Sequence, residues 1–302
     1  MAERAPPRSE RRGRVPSATF PLETCRRSGA PPPVADDNSM PRLALVTGAS
    51  SGIGAAAARV LAAEGYRVAL LARRRERLEA VASELSSVAG GHLVLVCDLT
   101  RVEQIEAAFA ELTRTFGGLD LLVNDAGMGY RARVTELEAD VVRTVFATNV
   151  EAVLHTCRLA HPLLVKSARG VVINVSSVVG RRGIPGQAVY SASKAAVGSI
   201  GEALRLEWAK DHIAVCTLEP ALTTTGFFDA QPNPAGLPHP DLSASATPEA
   251  VAHEILALDR APRPSRSLRW KWWLLGALTP ILPRLSDRMT AKRLGGEWSA
   301  PP

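Results

Sequence analysis

The chain has 302 residues, 46% of them hydrophobic and 5% aromatic, which suits one large globular domain with appendages. Its four cysteines stand far apart with no metal-ligand spacing, and no run of about 20 apolar residues occurs. That argues against a disulfide framework, a metal centre and a simple membrane-spanning helix. The net charge of +6 divides into +2 on residues 1–39, +7 on 260–302 and −3 between them, so the basic excess lies outside the enzyme-like motifs and nucleic acid is not an expected partner.

Residues 1–39 are rich in Pro, Arg, Ser and Gly without a hydrophobic period, and include Pro31-Pro32-Pro33. Such a segment buries too little surface to offset its ordering entropy, so a disordered tail is expected. Met40, directly before the first apolar run, is an alternative translation start. A targeting peptide fits poorly with Glu3, Glu10, Glu23, Asp36 and Asp37. From residue 43, short aliphatic runs at 43–47, 67–71, 93–97, 119–123, 171–175 and 213–218 alternate with helical patterns at 52–64, 75–87, 102–116, 137–161 and 189–210. Nearly continuous apolar strands alternating with helices predict an α/β fold, a doubly wound parallel sheet covered on both faces. A last strand around 267–271 would bring it to about seven strands. The expected organisation is a tail at 1–39, one domain at 40–265 and an appendage at 266–302. Ligands of such a sheet bind beyond the carboxyl ends of its strands, so chemistry is expected in the loops that follow them.

Two motifs carry most of the information. Thr47-Gly48-Ala49-Ser50-Ser51-Gly52-Ile53-Gly54 follows the first strand directly. Glycines at that joint let the backbone turn tightly and approach a pyrophosphate, whose charge meets the next helix N-terminus. Tyr190-Ser-Ala-Ser-Lys194 sets a phenol and an ammonium four residues apart, on one face if helical. A nearby ammonium favours the phenolate and tunes a proton donor toward working pH, as carbonyl reduction requires. An isolated Tyr–Lys pair is usually only a surface pair; its standing depends on the company it keeps.

Together these motifs resemble the short-chain dehydrogenase/reductase family, whose order of motifs residues 42–260 follow. The resemblance implies a Rossmann-type fold and assigns residues one by one. Asp98, followed by Leu99 after the third strand, is similar to the family's adenine-contacting Asp. Asn124-Asp125-Ala126-Gly127 resembles the Asn-Asn-Ala-Gly motif, with Asp125 as the departure. Ser177 lies thirteen residues before Tyr190, the family's Ser–Tyr spacing, and is preferred to its neighbour Ser176. Asn149 matches the active-site Asn, and Pro220-Ala-Leu-Thr223-Thr-Thr225 resembles the segment near the nicotinamide carboxamide. The implied roles are Tyr190 as proton donor or acceptor and Ser177 as hydrogen-bond donor to the substrate oxygen. Lys194 is the tuner of Tyr190 and the ribose anchor, and Asn149 holds a water relay. Dimers or tetramers of the chain are implied as well.

Cofactor choice follows from charge. An acid ending the second strand binds the ribose hydroxyls of NAD, whereas Arg accommodates the 2′-phosphate of NADP. Ala72 stands where the acid would be and Arg73 follows, so NADP(H) is favoured over NAD(H). Residues 224–247, which the resemblance makes the loop over the substrate, are rich in Pro, Gly and Ser and hold no Lys or Arg, which leans toward a neutral or lipophilic substrate. Trp270, Trp272, Trp273 and Trp298 lie among cations and aliphatics. Two readings of 268–285 stand: a peripheral contact with a membrane surface, or packing on the domain or on another subunit. The expected function is NADP(H)-dependent interconversion of a carbonyl and an alcohol, in the cytoplasm or at the inner face of a membrane. The alternatives are a 3-oxoacyl-thioester reductase and a non-catalytic NADP-binding scaffold.

Overall fold

A computed structural model describes residues 41–243, 245–295 and 298; the expected tail at 1–39 lies outside them. In chain order the elements are β1 (Leu43–Thr47), α1 (Gly52–Ala63), β2 (Arg67–Ala72), α2 (Arg75–Glu84), β3 (Leu93–Val96) and α3 (Val102–Phe116). There follow β4 (Leu121–Asn124), α4 (Ala139–Phe146), α5 (Ala152–Leu164), β5 (Val171–Val175), α6 (Ala188–Glu207) and β6 (Ala214–Glu219). The chain continues with α7 (Phe227–Ala230), α8 (Pro248–Arg260), β7 (Ser265–Ser267), α9 (Trp270–Leu278) and α10 (Pro283–Leu294).

The strands form one seven-stranded parallel sheet in the order β3-β2-β1-β4-β5-β6-β7. Both faces are covered, and the pleat divides the strands between two cores. Ala44, Val46, Val68 and Leu70 face a core shared with α1 and α8, while Leu45, Ala69 and Leu71 face Ile105, Phe109 and Leu112 of α3. Four consecutive buried alanines, Ala55–Ala58, let α1 lie close against α8 and the sheet. The order reverses between β1 and β4, which opens a crevice at their carboxyl ends.

Most expected spans hold to within two or three residues, and three differences bear on the site. The pattern at 137–161 is a broken helix: a π turn at Ala147–Glu151 separates α4 from α5. Such turns insert one residue into the ladder and re-aim a side chain. Here the side chain is Asn149. The last strand lies at Ser265–Ser267, across the boundary expected at 265/266, because the residues from Trp270 onward are helical. Pro283 then begins a separate helix, where its missing N–H removes nothing from the ladder.

Candidate active site

Loops at the carboxyl ends of the strands enclose one continuous cavity of about 1740 Å³. Its cofactor end begins at the glycine turn after β1. A Cβ on Gly48 (φ 71°) would stand 2.9 Å from the Ala126 Cα, and one on Gly54 would stand 2.6 Å from the Gly48 carbonyl oxygen. Only glycine lets the turn fold this tightly against the loop after β4. Ser50, Ser51, Gly52 and Ile53 line the cavity, where backbone N–H groups at the start of α1 suit a pyrophosphate. Thr47 has a different place. It is buried, and its Oγ1 accepts from the amides of Asp125 and Ala126 at 3.1 Å each, which ties β1 to the loop after β4.

No acid stands at the end of β2. Arg73, Arg74 and Arg77 line the cavity there, and Arg74 Nη2 donates to Ser50 Oγ at 3.1 Å and Ser51 Oγ at 3.3 Å. Burial, together with the like charges of Arg77 and Arg73, lowers the Arg74 pKa from its usual value. Mutually repelling guanidiniums beside a pyrophosphate turn fit a further phosphate. Asp98 and Leu99 also line this end. Burial alone would raise the Asp98 pKa, but bonds from the Thr100 amide (3.0 Å) and hydroxyl (2.8 Å), with Arg73 and Arg101 nearby, hold it below the usual carboxylate value. Asn124 lies beneath the cavity. Its Nδ2 donates to Asn174 Oδ1 at 2.9 Å and its Oδ1 accepts from Thr156 at 2.8 Å, bracing β4 against β5 and α5. Ala126 and Gly127 form the wall above it.

The centre is built on β5 and α6. Tyr190 and Lys194 share one helical face, with the Lys194 Nζ 5.9 Å from the Tyr190 ring centroid. Lys194 is 4% exposed and donates to the Val175 carbonyl at 2.8 Å. Ser177 begins the turn after β5, where its Oγ accepts from the Val179 amide at 3.4 Å, and its hydroxyl lies near enough to Tyr190 to influence the phenol. Ser176 is a brace, donating to the Lys194 carbonyl at 2.7 Å. Asn149, 1% exposed, receives the Met128 amide at 2.7 Å and donates to the Met128 carbonyl and Ser193 Oγ, each at 2.9 Å. It clamps the loop after β4 to α6, and its carboxamide is committed to those partners rather than to the cavity. Pro220, Thr223 and Thr225 line the opposite wall.

Electrostatics at the centre are governed by burial more than by the ammonium. Burial pushes the Tyr190 pKa well above that of an ordinary phenol; the neighbouring Ser177 hydroxyl opposes this and Asp125 adds to it. Burial lowers Lys194 to about 8, with Asp125 pulling it back up. Asp125 itself is raised to about 6 by burial, opposed by Lys194 and by the Gly54 amide. The departure at Asp125 therefore places a carboxyl group between the glycine turn and the lysine.

The substrate end draws on residues that the sequence reading did not assemble. Met128, Arg131, Ile184, Phe227 and Phe228 line it, together with Arg269, Trp272, Arg293, Leu294 and Trp298 from the C-terminal segment. Phe227 packs on Tyr190 with ring centroids 5.5 Å apart. Arg293 lies 4.8 Å above the Trp272 ring. The packed reading of 268–285 is thus realised on the inner side: Leu275 and Gly276 are buried, and a Cβ on Gly276 would stand 2.5 Å from the Arg181 Cβ. Only tertiary packing brings these residues to the cavity; the tryptophan cluster was the visible signal.

Residues 42–234 match the family described as short chain dehydrogenase. The chain is 31% identical over 223 residues to carbonyl reductase family member 4 of Xenopus tropicalis, covering 74% of this chain and 93% of that protein. An uncharacterized oxidoreductase of Mycobacterium tuberculosis is 35% identical over 248 residues, with coverages of 81% and 95%. Among solved structures, an alcohol dehydrogenase from the archaeon Thermococcus sibiricus complexed with 5-hydroxy-NADP superposes with a TM-score of 0.67 at 29% identity, covering 76% of this chain and 96% of that one. With the sheet order, the glycine turn and the Ser177–Tyr190–Lys194 cluster, these matches establish that the chain belongs to the short-chain dehydrogenase family.

Proposed function

We propose that the chain is an NADP(H)-dependent oxidoreductase that interconverts a lipophilic ketone or aldehyde with its alcohol. One observation carries the reading: Ser177, Tyr190 and Lys194 meet on a single cavity whose far end is ringed by Arg73, Arg74 and Arg77. The absent acid at Ala72 and the 5-hydroxy-NADP of the Thermococcus sibiricus structure support NADP over NAD. The Gly48–Gly54 turn would hold the pyrophosphate, Asp98 and Leu99 the adenine end, and Lys194 the nicotinamide ribose. Thr223 and Thr225 would hold the carboxamide. When bound, the nicotinamide supplies or accepts the hydride.

Roles for the side chains follow from their surroundings. Ser177 and Tyr190 donate hydrogen bonds to the substrate oxygen as negative charge grows there during reduction. A phenol raised above its ordinary pKa holds its proton at neutral pH but gives it up less readily, so its transfer depends on stabilising the phenolate. Protonated Lys194 stabilises the phenolate left behind. Asn149 and Thr47 position: the first fixes the loop carrying Gly127 and Met128, the second fixes the glycine turn. The wall of Phe227, Phe228, Met128 and Trp272 favours apolar substrates.

Surface composition supports a peripheral membrane contact. Of the thirteen large hydrophobics exposed among the described residues, eight lie between Trp270 and Leu294. Exposed Lys271, Arg284, Arg288 and Lys292 accompany them, and Trp, aliphatics and cations together suit a headgroup interface. No helix among the described residues is long and apolar enough to cross a membrane. Cys97, Cys157 and Cys216 are buried free thiols, which fits a reducing compartment such as the cytoplasm.

The test is a panel of lipophilic ketones, aldehydes and alcohols assayed with NADP(H), in the presence and absence of anionic vesicles. The proposal expects NADPH oxidation with apolar carbonyls and co-flotation with the vesicles. NADPH binding without turnover across the panel would sink the catalytic reading. A vesicle-free supernatant holding all of the protein would sink the membrane contact.

A further inference from the structure

Arg131 follows the Asn124–Gly127 turn by four residues and lines the substrate end of the cavity. It is 8% exposed, burial lowers its pKa, and among the described residues no carboxylate forms an ion pair with it. A guanidinium has five N–H donors. Here Nη2 donates to the Pro238 carbonyl, and Nε is buried without a partner. A buried cation lacking a counterion is costly, and proteins keep one where something else supplies the charge.

Its neighbours say which ligand that is. The Arg131 amide donates to the Pro232 carbonyl at 3.0 Å, so both its backbone and its side chain hold the substrate loop rather than the cofactor turn. That loop is itself fixed, with Asn233 and Leu237 exchanging two hydrogen bonds of 2.9 Å. Gln231, next to Pro232, is 8% exposed and also leaves a buried donor, Nε2, unpartnered. Of the two, only Arg131 lines the cavity, so its guanidinium is the group that can meet an acceptor carried by a ligand. Between this corner and the reacting centre stands Phe227: its ring packs on Tyr190, and its edge lies 2.9 Å from where a Gly129 Cβ would be.

We infer that Arg131 is a specificity-determining residue that receives a carboxylate carried by the substrate, separated from the reacting carbonyl by an apolar spacer lying along Phe227. The substrate class is then an aliphatic oxo-acid or hydroxy-acid. This deepens the carbonyl–alcohol reading and rests on it for the identity of the reacting group. Carboxylate and guanidinium match in geometry as well as in charge, and a low-dielectric wall strengthens the pairing.

The test is calorimetric and needs no turnover. NADPH-loaded full-length protein is titrated with decanoate and with methyl decanoate, in the wild type, Arg131→Gln and Arg131→Lys. Decanoate is expected to bind about tenfold more tightly than the ester in the wild type. The preference should vanish in Arg131→Gln and persist in part in Arg131→Lys, with NADPH affinity unchanged in both. Equal affinity for acid and ester in the wild type, or an unchanged preference in Arg131→Gln, overturns the inference. If Arg131→Gln does not fold, Arg131→Lys and the wild-type pair still decide. Failure of the reductase reading would look different: no carbonyl reduced by any form, whatever the acid preference.

Discussion

The two ends of the cavity are built in different ways. At the cofactor end the walls come from the loops and helix starts that follow the strands: Gly48–Gly54 after β1, Arg73, Arg74 and Arg77 after β2, Asp98 after β3, and Ala126 and Gly127 after β4. Sheet topology alone brings those loops together, and tight glycine contacts fix their spacing. At the substrate end the wall is assembled from a fixed loop, the short helix α7 and a C-terminal segment outside the region of the family match. One end serves a ligand common to many proteins. The other is where this chain can differ from its relatives.

That contrast can be broken most sharply at the point where the ends meet. Tyr190→Phe removes the proton donor and keeps the ring; turnover should fall by about 10²- to 10⁴-fold with NADPH affinity intact. Retention of more than about a tenth of the rate would overturn the acid role. At the cofactor end, Arg73→Ala combined with Arg74→Ala should weaken NADPH more than about tenfold while NADH changes little, since each charged hydrogen bond contributes about 1.5–3 kcal/mol. Equal losses for both cofactors contradict a phosphate site there. At the substrate end, Trp272→Ala should raise KM for apolar ketones by about tenfold and leave the NADPH Kd alone. A matching loss of NADPH affinity would mean that the two ends are not independent.

The smallest effect concerns pH. Burial lowers Lys194 to about 8, and the proposed mechanism uses its cation, so the rate of reduction should fall as pH rises through that value. Asp125 raises the Lys194 pKa, so Asp125→Asn should move the falling limb to lower pH. A pH–rate profile checks both, and a limb shifted upward would show that Asp125 acts by another route.

The cofactor end was legible in the sequence because its signals are local: a glycine turn next to a strand, Arg73 in place of an acid, Tyr190 and Lys194 one helical turn apart. Even there, matching a motif was not the same as facing the cavity. Thr47, Asn124 and Asn149 sit where the pattern puts them, yet their polar atoms are committed to neighbouring backbone and side chains. Arg74 escaped notice because nothing in a run of arginines says which one folds back onto Ser50 and Ser51. The substrate end was hidden for a stronger reason. Arg131, Phe227 and Trp272 are far apart in sequence, and only packing of the loop and α9 against the domain makes them neighbours of one cavity. The π turn at Ala147–Glu151 was equally invisible, since no glycine or proline marks the break in the helix.

The most direct test of hydride transfer from NADPH with Tyr190 as the proton donor follows the label. NADPH carrying deuterium at the transferable position is incubated with a lipophilic ketone, and the alcohol is analysed by mass spectrometry. The wild type is predicted to place one deuterium on the carbinol carbon, and Tyr190→Phe to form almost none. Alcohol formed without the label, or labelled alcohol at an undiminished rate in Tyr190→Phe, would contradict it.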